Sequence, residues 1–125
     1  AFAACDLAMV TLDDHQALYE IPDSEAAIRH AYALAPVEVV IKCGSEPTLI
    51  RVAGQEPFSV PTFKVDKVVD TTGAGDSFAG GYLAARLQGL GPEVSARSGN
   101  KLASIVIQHS GAIIPVEAMP VFVFL

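Results

Sequence analysis

The sequence predicts an α/β protein built on a doubly wound, mostly parallel sheet flanked by helices. Three observations carry that expectation. Short apolar runs alternate with helical patterns along the chain, the βαβα order of such sheets. Residues 37–42 form a β-branched run, as expected of a parallel strand covered on both faces. A second valine-rich run, residues 65–69, passes straight into a glycine turn and a small-residue helix.

The elements follow in order. Residues 6–12 (DLAMVTL) read as a buried strand, and a short helix is expected over 14–19. Asp23 or Ser24 caps a second helix running to residue 35, with Ala27, Ile28, Ala31 and Leu34 on one face. Pro36 stops it, and strand 37–42 follows. Residues 49–52 and 58–60 flank Gly54-Gln55-Glu56-Pro57 and predict an antiparallel hairpin at a sheet edge. Strand 65–69 leads through the glycine turn to a helix over 77–87. A last helix begins at Pro92, with Val94, Leu102, Ala103, Ile105 and Val106 as its apolar side and Gly111 as its end. The apolar tail 121–125 reads as a final strand or an appended remnant.

Composition narrows the function classes. Apolar residues make up 51% of 125 residues, ample for a core. The net charge of −6, without a basic cluster, argues against a nucleic-acid partner. No apolar run reaches the roughly 18 residues of a membrane span, and the expectation is a cytoplasmic globular protein. Cys5 and Cys43 are too few for a disulfide framework or a zinc site, and both read as buried free thiols. No histidine pair has metal spacing; His15, His30 and His109 read as surface or capping residues.

The chemistry concentrates in Asp70-Thr71-Thr72-Gly73-Ala74-Gly75-Asp76-Ser77-Phe78. Glycines let backbone approach a ligand, and free N–H groups at a helix N-terminus suit a phosphate. A carboxylate there would repel that phosphate, so Asp76 needs a task of its own. Accepting the proton of a hydroxyl about to be phosphorylated is such a task. The plainer alternative makes the turn a packing device and Asp76 a first-turn acid favoured by the helix dipole. The run is neither a Walker A loop, which ends in Gly-Lys-Ser/Thr, nor the dinucleotide fingerprint, whose glycine spacing it lacks.

Residues 70–80 resemble the C-terminal signature of the ribokinase-like (phosphofructokinase B) carbohydrate kinases almost residue for residue. VVIKCG (39–44), GYLAARL (81–87), GAIIP (111–115) and AMP (118–120) resemble one subgroup, the 2-keto-3-deoxygluconate kinases. The resemblance covers nearly the whole chain but only the C-terminal part of that family's single large domain. It therefore implies a fragment, residues 1–125 forming the nucleotide-binding and catalytic part of a ribokinase-like domain. The lid and most sugar-contacting residues would lie upstream.

The resemblance implies a mechanism and a set of residues. Asp76 takes the proton of the sugar hydroxyl as it attacks the γ-phosphoryl of ATP, and the backbone N–H groups of Gly73, Ala74 and Gly75 form an anion hole. Gly73 and Asp76 also meet the sugar. Lys42, Gly44 and Glu46 lie near ATP, with Thr72, and Asn100, Ala103, Ser110 and Gly111 line the adenine pocket. Mg²⁺ bridges the phosphates. Where many family members carry Asn-x-x-Glu, this chain has Thr11-Leu12-Asp13-Asp14; the resemblance implies Asp14 in place of the glutamate at shorter reach, through water, the alternative being a solvated helix start. Asp70, with the Thr72 carbonyl, matches the part that can hold a monovalent cation such as K⁺. Open sheets of this class bind ligands beyond the carboxyl ends of their strands, where loops 11–14, 43–47 and 70–76 are expected.

The expected activity is ATP-dependent phosphorylation of 2-keto-3-deoxygluconate by the intact protein, the isolated fragment being inactive. The alternatives are another ribokinase-like sugar or nucleoside kinase, or a noncatalytic nucleotide-binding module. A module that only binds nucleotide has no need for Asp76. Homo-oligomerisation of the full-length protein stays open.

Overall fold

A computed structural model of the chain describes residues 1–121 and divides into two compact units, Ala1–Val60 and Pro61 onward. The tail read as a final strand lies outside the described residues from position 122.

After a single 3-10 turn at Phe2–Ala4, the first unit runs through strand β1 (Leu7–Thr11) and helices α1 (Leu12–Leu18) and α2 (Ser24–Tyr32). Strands β2 (Glu38–Lys42), β3 (Thr48–Val52) and β4 (Phe58–Val60) complete it. The sheet order is β1-β2-β3-β4. β1 and β2 are parallel, in a register that pairs Leu7 with Glu38 and Thr11 with Lys42. The other two pairings are antiparallel, and β3–β4 is the expected hairpin. Only one pair in this four-stranded sheet is parallel, so the expectation of a mostly parallel sheet is corrected to a mixed one.

Local chemistry explains these bounds. The Asp23 carboxylate accepts the backbone N–H groups of Glu25 (2.7 Å) and Ala26 (3.1 Å), which settles the N-cap of α2 on Asp23. The helix ends at Tyr32, short of residue 35, because Ala35 precedes Pro36 and is steered out of the helical region. Val39, Val40 and Ile41 are fully buried. Val39 and Ile41 join Ala31 in a core that Val10, Leu12, Ile28, Leu34 and Leu49 extend, so the predicted face of α2 is the one that packs on the sheet.

In the second unit, helices α3 (Ala74–Leu87) and α4 (Pro92–Val106) form a closely packed pair. Residues 65–69 are not a strand, which corrects the sequence reading. β-branched composition favours extended backbone, but a strand also needs a ladder partner. Here the N–H groups of Val69 and Asp70 both go to the carbonyl of Ile107 (2.8 and 3.2 Å), just past the end of α4. Val68 and Val69 stay half exposed.

The buried side of α4 follows its predicted bulky residues only in part: Val106 is buried and Leu102, Ala103 and Ile105 are half-buried, but the most buried positions are mainly small or polar. Ser95, Ala96, Ser98, Gly99, Asn100 and Val106 are buried, while Val94 is exposed. Close approach decides the face. A Cβ on Gly81 of α3 would lie 2.9 Å from the Ser98 carbonyl oxygen, and one on Gly99 would lie 2.7 Å from that of Phe78. The buried hydroxyls are satisfied within the helix, Ser95 donating to Gly91 O (2.8 Å) and Ser98 to Val94 O (3.0 Å). α4 ends at Val106, so Gly111, at φ +78°, shapes the loop beyond rather than terminating the helix.

Candidate functional site

In the first unit the parallel register sets Thr11 beside Lys42, the carboxyl ends of β1 and β2. Beyond them opens a cavity of about 550 Å³ whose wall includes Thr11, Asp13, Lys42, Cys43, Gly44 and Glu46. Lys42, Gly44 and Glu46, expected as one loop to lie near a nucleotide, line this cavity. The turn that presents them is closed by Glu46 N–H donating to Cys43 O (3.0 Å), with Gly44 at φ +62°. Asp14 is exposed on α1 and borders an adjoining depression that Thr11 and Lys42 also line.

The two cysteines differ from the expectation of buried thiols: Cys5 is exposed and Cys43 half-buried in the cavity wall. Burial, then the carboxylates of Asp13 and Glu46, push the Cys43 thiol pKa up, so it stays protonated at neutral pH.

In the second unit the signature forms a tightly specified turn. The Asp70 carboxylate accepts the N–H of Thr72 at 2.9 Å through one oxygen and that of Gly111 at 2.8 Å through the other. The hydrogen bond from the Thr72 side chain, then those two backbone donors, hold its pKa below the usual carboxylate value. Gly73 is the N-cap of α3 and adopts the left-handed conformation, φ +77°. A Cβ there would sit 2.6 Å from the Ala112 Cβ, so both backbone angle and space demand glycine.

The Ala74 N–H closes this turn on Thr71 O at 3.2 Å. Gly75 and Asp76 follow in the first turn of α3, where N–H groups have no partner within the helix. The first intrahelical bond runs from Ser77 N to Gly73 O (2.9 Å). Asp76 is exposed in this first turn, beside the open donors.

The turn therefore brings Asp70, Thr72, Gly73, Ala74, Gly75, Asp76 and Gly111 together, with Ser110 exposed next to Gly111. Asn100 and Ala103 stand apart on α4. Asn100 is buried and its side-chain amide donates to Pro61 O (3.1 Å), while Ala103 is half-buried. Among the described residues no group of three or more His, Cys, Asp or Glu is arranged to hold a metal ion. Both Asp70 oxygens are taken by N–H donors, whereas Asp14 is an exposed single carboxylate. One such carboxylate, completed by substrate phosphates and water, is how Mg²⁺ is commonly held, so Asp14 fits that ion.

One cluster escaped the sequence reading. His15 is buried, not a surface residue; its Nε2 lies 2.9 Å from Nδ1 of His30, and Tyr19 packs on both rings at centroid distances of 4.7 and 4.5 Å. Burial, then the neighbouring His30, lower the His15 pKa. The four-residue spacing of His15 and Tyr19 on one helix face was the available signal. His109 does sit at the end of α4, its Nδ1 3.0 Å from Ile105 O.

Comparisons with known proteins bear on the turn and the cavity alike. A profile of the pfkB family of carbohydrate kinases matches residues 1–119. A 2-dehydro-3-deoxygluconokinase of Dickeya dadantii is 46% identical over 121 residues, covering 94% of this chain and 39% of that protein. The chain thus spans about two fifths of that relative's length. Among solved structures, the adenosine kinase of Sinorhizobium meliloti is similar at a TM-score of 0.80 and 30% identity, over 90% of this chain and 34% of that one. The ribokinase of Arabidopsis thaliana complexed with ribose and ATP is similar at 0.75 and 26% identity, over 92% of this chain and 38% of that one. The fold is ribokinase-like, represented in part.

Proposed function

The chain belongs to the pfkB family of carbohydrate kinases, and from that premise we propose that it is the nucleotide-binding and catalytic part of an ATP-dependent sugar-acid kinase. The observation that carries this reading is the turn at the head of α3: a left-handed Gly73, open first-turn N–H groups and an exposed Asp76. The favoured acceptor is 2-keto-3-deoxygluconate, on the 46% identity to a kinase of that name.

The residues divide the work. Asp76 accepts the proton of the attacking sugar hydroxyl, the task that justifies a carboxylate beside a phosphate site. Gly75 N–H, with those of Gly73 and Ala74, faces the charge spread over the transferring group; Ala74 N–H must leave Thr71 O or share its hydrogen to do so. Lys42, Gly44 and Glu46 border the nucleotide from the cavity at the ends of β1 and β2. Mg²⁺ neutralises phosphate charge when bound, and Asp14 is its candidate ligand, through water. Thr72, Ser110 and Gly111 lie at the nucleotide side of the turn, while Asn100 and Ala103 serve it from α4, Asn100 by fixing Pro61. A K⁺ ion at Asp70 and the Thr72 carbonyl belongs to this reading only if the ion reaches oxygens already bonded to N–H groups.

A nucleoside acceptor is the second reading, favoured by the likeness to the Sinorhizobium meliloti adenosine kinase. The test is ATP turnover by the full-length protein across keto-deoxy sugar acids, ribose, fructose and adenosine. Phosphorylation of 2-keto-3-deoxygluconate at the highest kcat/KM is expected, with no turnover by the isolated 125-residue chain. Preference for adenosine would replace the acceptor, and turnover by the isolated chain would remove the requirement for the rest of the domain.

A further inference from the structure

Three rings in the first unit take no part in the proposed reaction. His15 is 3% exposed, and its Nε2 lies 2.9 Å from Nδ1 of His30, 15 residues further on in α2. The ring centres are 5.0 Å apart. Nearly all of the difference between those distances is the rings' own radii, so the two nitrogens point toward each other and the rings are not stacked. Tyr19, the residue that ends α1, packs on both rings at 4.7 and 4.5 Å and restrains how each can turn. His30 is exposed, so the pair is closed at the His15 end and open to water at the other.

The surroundings favour a cation. Residues 12–28 carry Asp13, Asp14, Glu20, Asp23 and Glu25 but no Lys or Arg. Arg29, next to His30, is engaged by Glu25 at 2.8 Å. Lys42 borders the depression beside His15, but so does Asp14, which offsets it.

We propose that His15 and His30 form a two-nitrogen binding site for a borderline divalent transition metal, represented by Zn²⁺, which would staple α1 to α2. Neutral imidazole is the commonest metal ligand and binds through either ring nitrogen. It suits zinc, copper and nickel, whereas Mg²⁺ takes oxygen ligands, so this site is independent of the ion assigned to Asp14. At Zn–N distances of about 2.0–2.1 Å, two tetrahedrally placed nitrogens stand about 3.3–3.4 Å apart. The pair must therefore open by about 0.4–0.5 Å from its 2.9 Å hydrogen bond, which a tilt of the exposed His30 ring supplies. The ring that donates that hydrogen bond moves its hydrogen to its other nitrogen, both rings stay neutral, and water fills the remaining positions on the ion. The plainer reading is a hydrogen bond that only ties two helices together.

The test is a calorimetric titration of the metal-stripped full-length protein with Zn²⁺, in excess Mg²⁺ to occupy the carboxylates, for the parent, His30→Gln and Asp14→Asn. The parent and Asp14→Asn should each bind one more equivalent of Zn²⁺ than His30→Gln. Loss of a ligand should weaken that site beyond the roughly 10–100-fold that loss of an outer-shell partner costs. Zinc should raise the melting temperature of the parent and not that of His30→Gln. Equal uptake and equal thermal shifts in the parent and His30→Gln overturn the proposal. Uptake lost in Asp14→Asn but kept in His30→Gln also overturns it, because the ion would then sit on carboxylates.

If His30→Gln does not fold, carbethoxylation of His30 in the parent, located by mass spectrometry, reads the same site. Zn²⁺ should suppress it and Mg²⁺ should not; a rate unchanged by Zn²⁺ is the contrary result. None of these outcomes bears on Asp76, so the site and the proposed function stand or fall separately.

Discussion

The two candidate regions are built on different principles. The turn at the head of α3 is over-determined: a left-handed glycine, an acid bonded to two N–H groups, and a close contact with Ala112 that excludes a methyl. The cavity at the ends of β1 and β2 is edged by an exposed hairpin turn, where Gly44 also has a positive φ but would meet nothing within 4 Å. Chemistry at a transition state needs donors fixed before the reaction, whereas a ground-state ligand can be met by side chains that adjust. The proposed reading, a catalytic turn and a binding cavity, calls for such a difference.

Matched substitutions break or sharpen that contrast. Gly73→Ala and Gly44→Ala carry similar left-handed strain, at φ +77° and +62°, worth about 1–2 kcal/mol each. Only Gly73→Ala also drives a methyl into Ala112, adding about 1–3 kcal/mol of overpacking. Urea unfolding should therefore show the larger loss at Gly73, with kcat collapsing there and mainly the KM for ATP rising at Gly44. Equal losses at the two glycines would erase the distinction.

The smallest effect tests the first unit by pH. His15 has its folded pKa lowered below 6.5 by burial and His30, so the unfolded chain binds the proton more readily. The neutral ring's contribution is complete above about pH 6.5 and is lost as pH falls from there toward the lower folded value. Melting temperature should fall on going from pH 7.5 to 5.5, and His30→Gln, by removing the charged neighbour, should flatten that slope. A slope identical in parent and variant would remove His30 as a cause.

Much of this was legible in the sequence because it rested on local chemistry. Asp23 as a cap, the apolar face of α2, the β3–β4 hairpin and the glycine turn each depend on residues close in the chain. What was not legible depended on partners far away. Residues 65–69 have the composition of a strand, yet Val69 gives its N–H to Ile107. The face of α4 is decided by how closely Gly81 and Gly99 let two helices approach, more than by where bulk lies along one helix. His15 is buried because α2 brings His30 to it. In the site, the run 70–76 was readable as one unit, but the link from Asp70 to Gly111 was not, since 41 residues separate them.

The central claim is that the turn at the head of α3 performs proton transfer and not only phosphate binding. It is tested most directly by Asp76→Ala in the full-length protein, with ATP affinity measured beside phosphoryl transfer. Because Asp76 is exposed in the first turn of α3, the variant should fold and bind ATP as the parent does. Its kcat should fall by about 10²–10⁴. A kcat close to the parent's, with ATP affinity unchanged, would contradict the account.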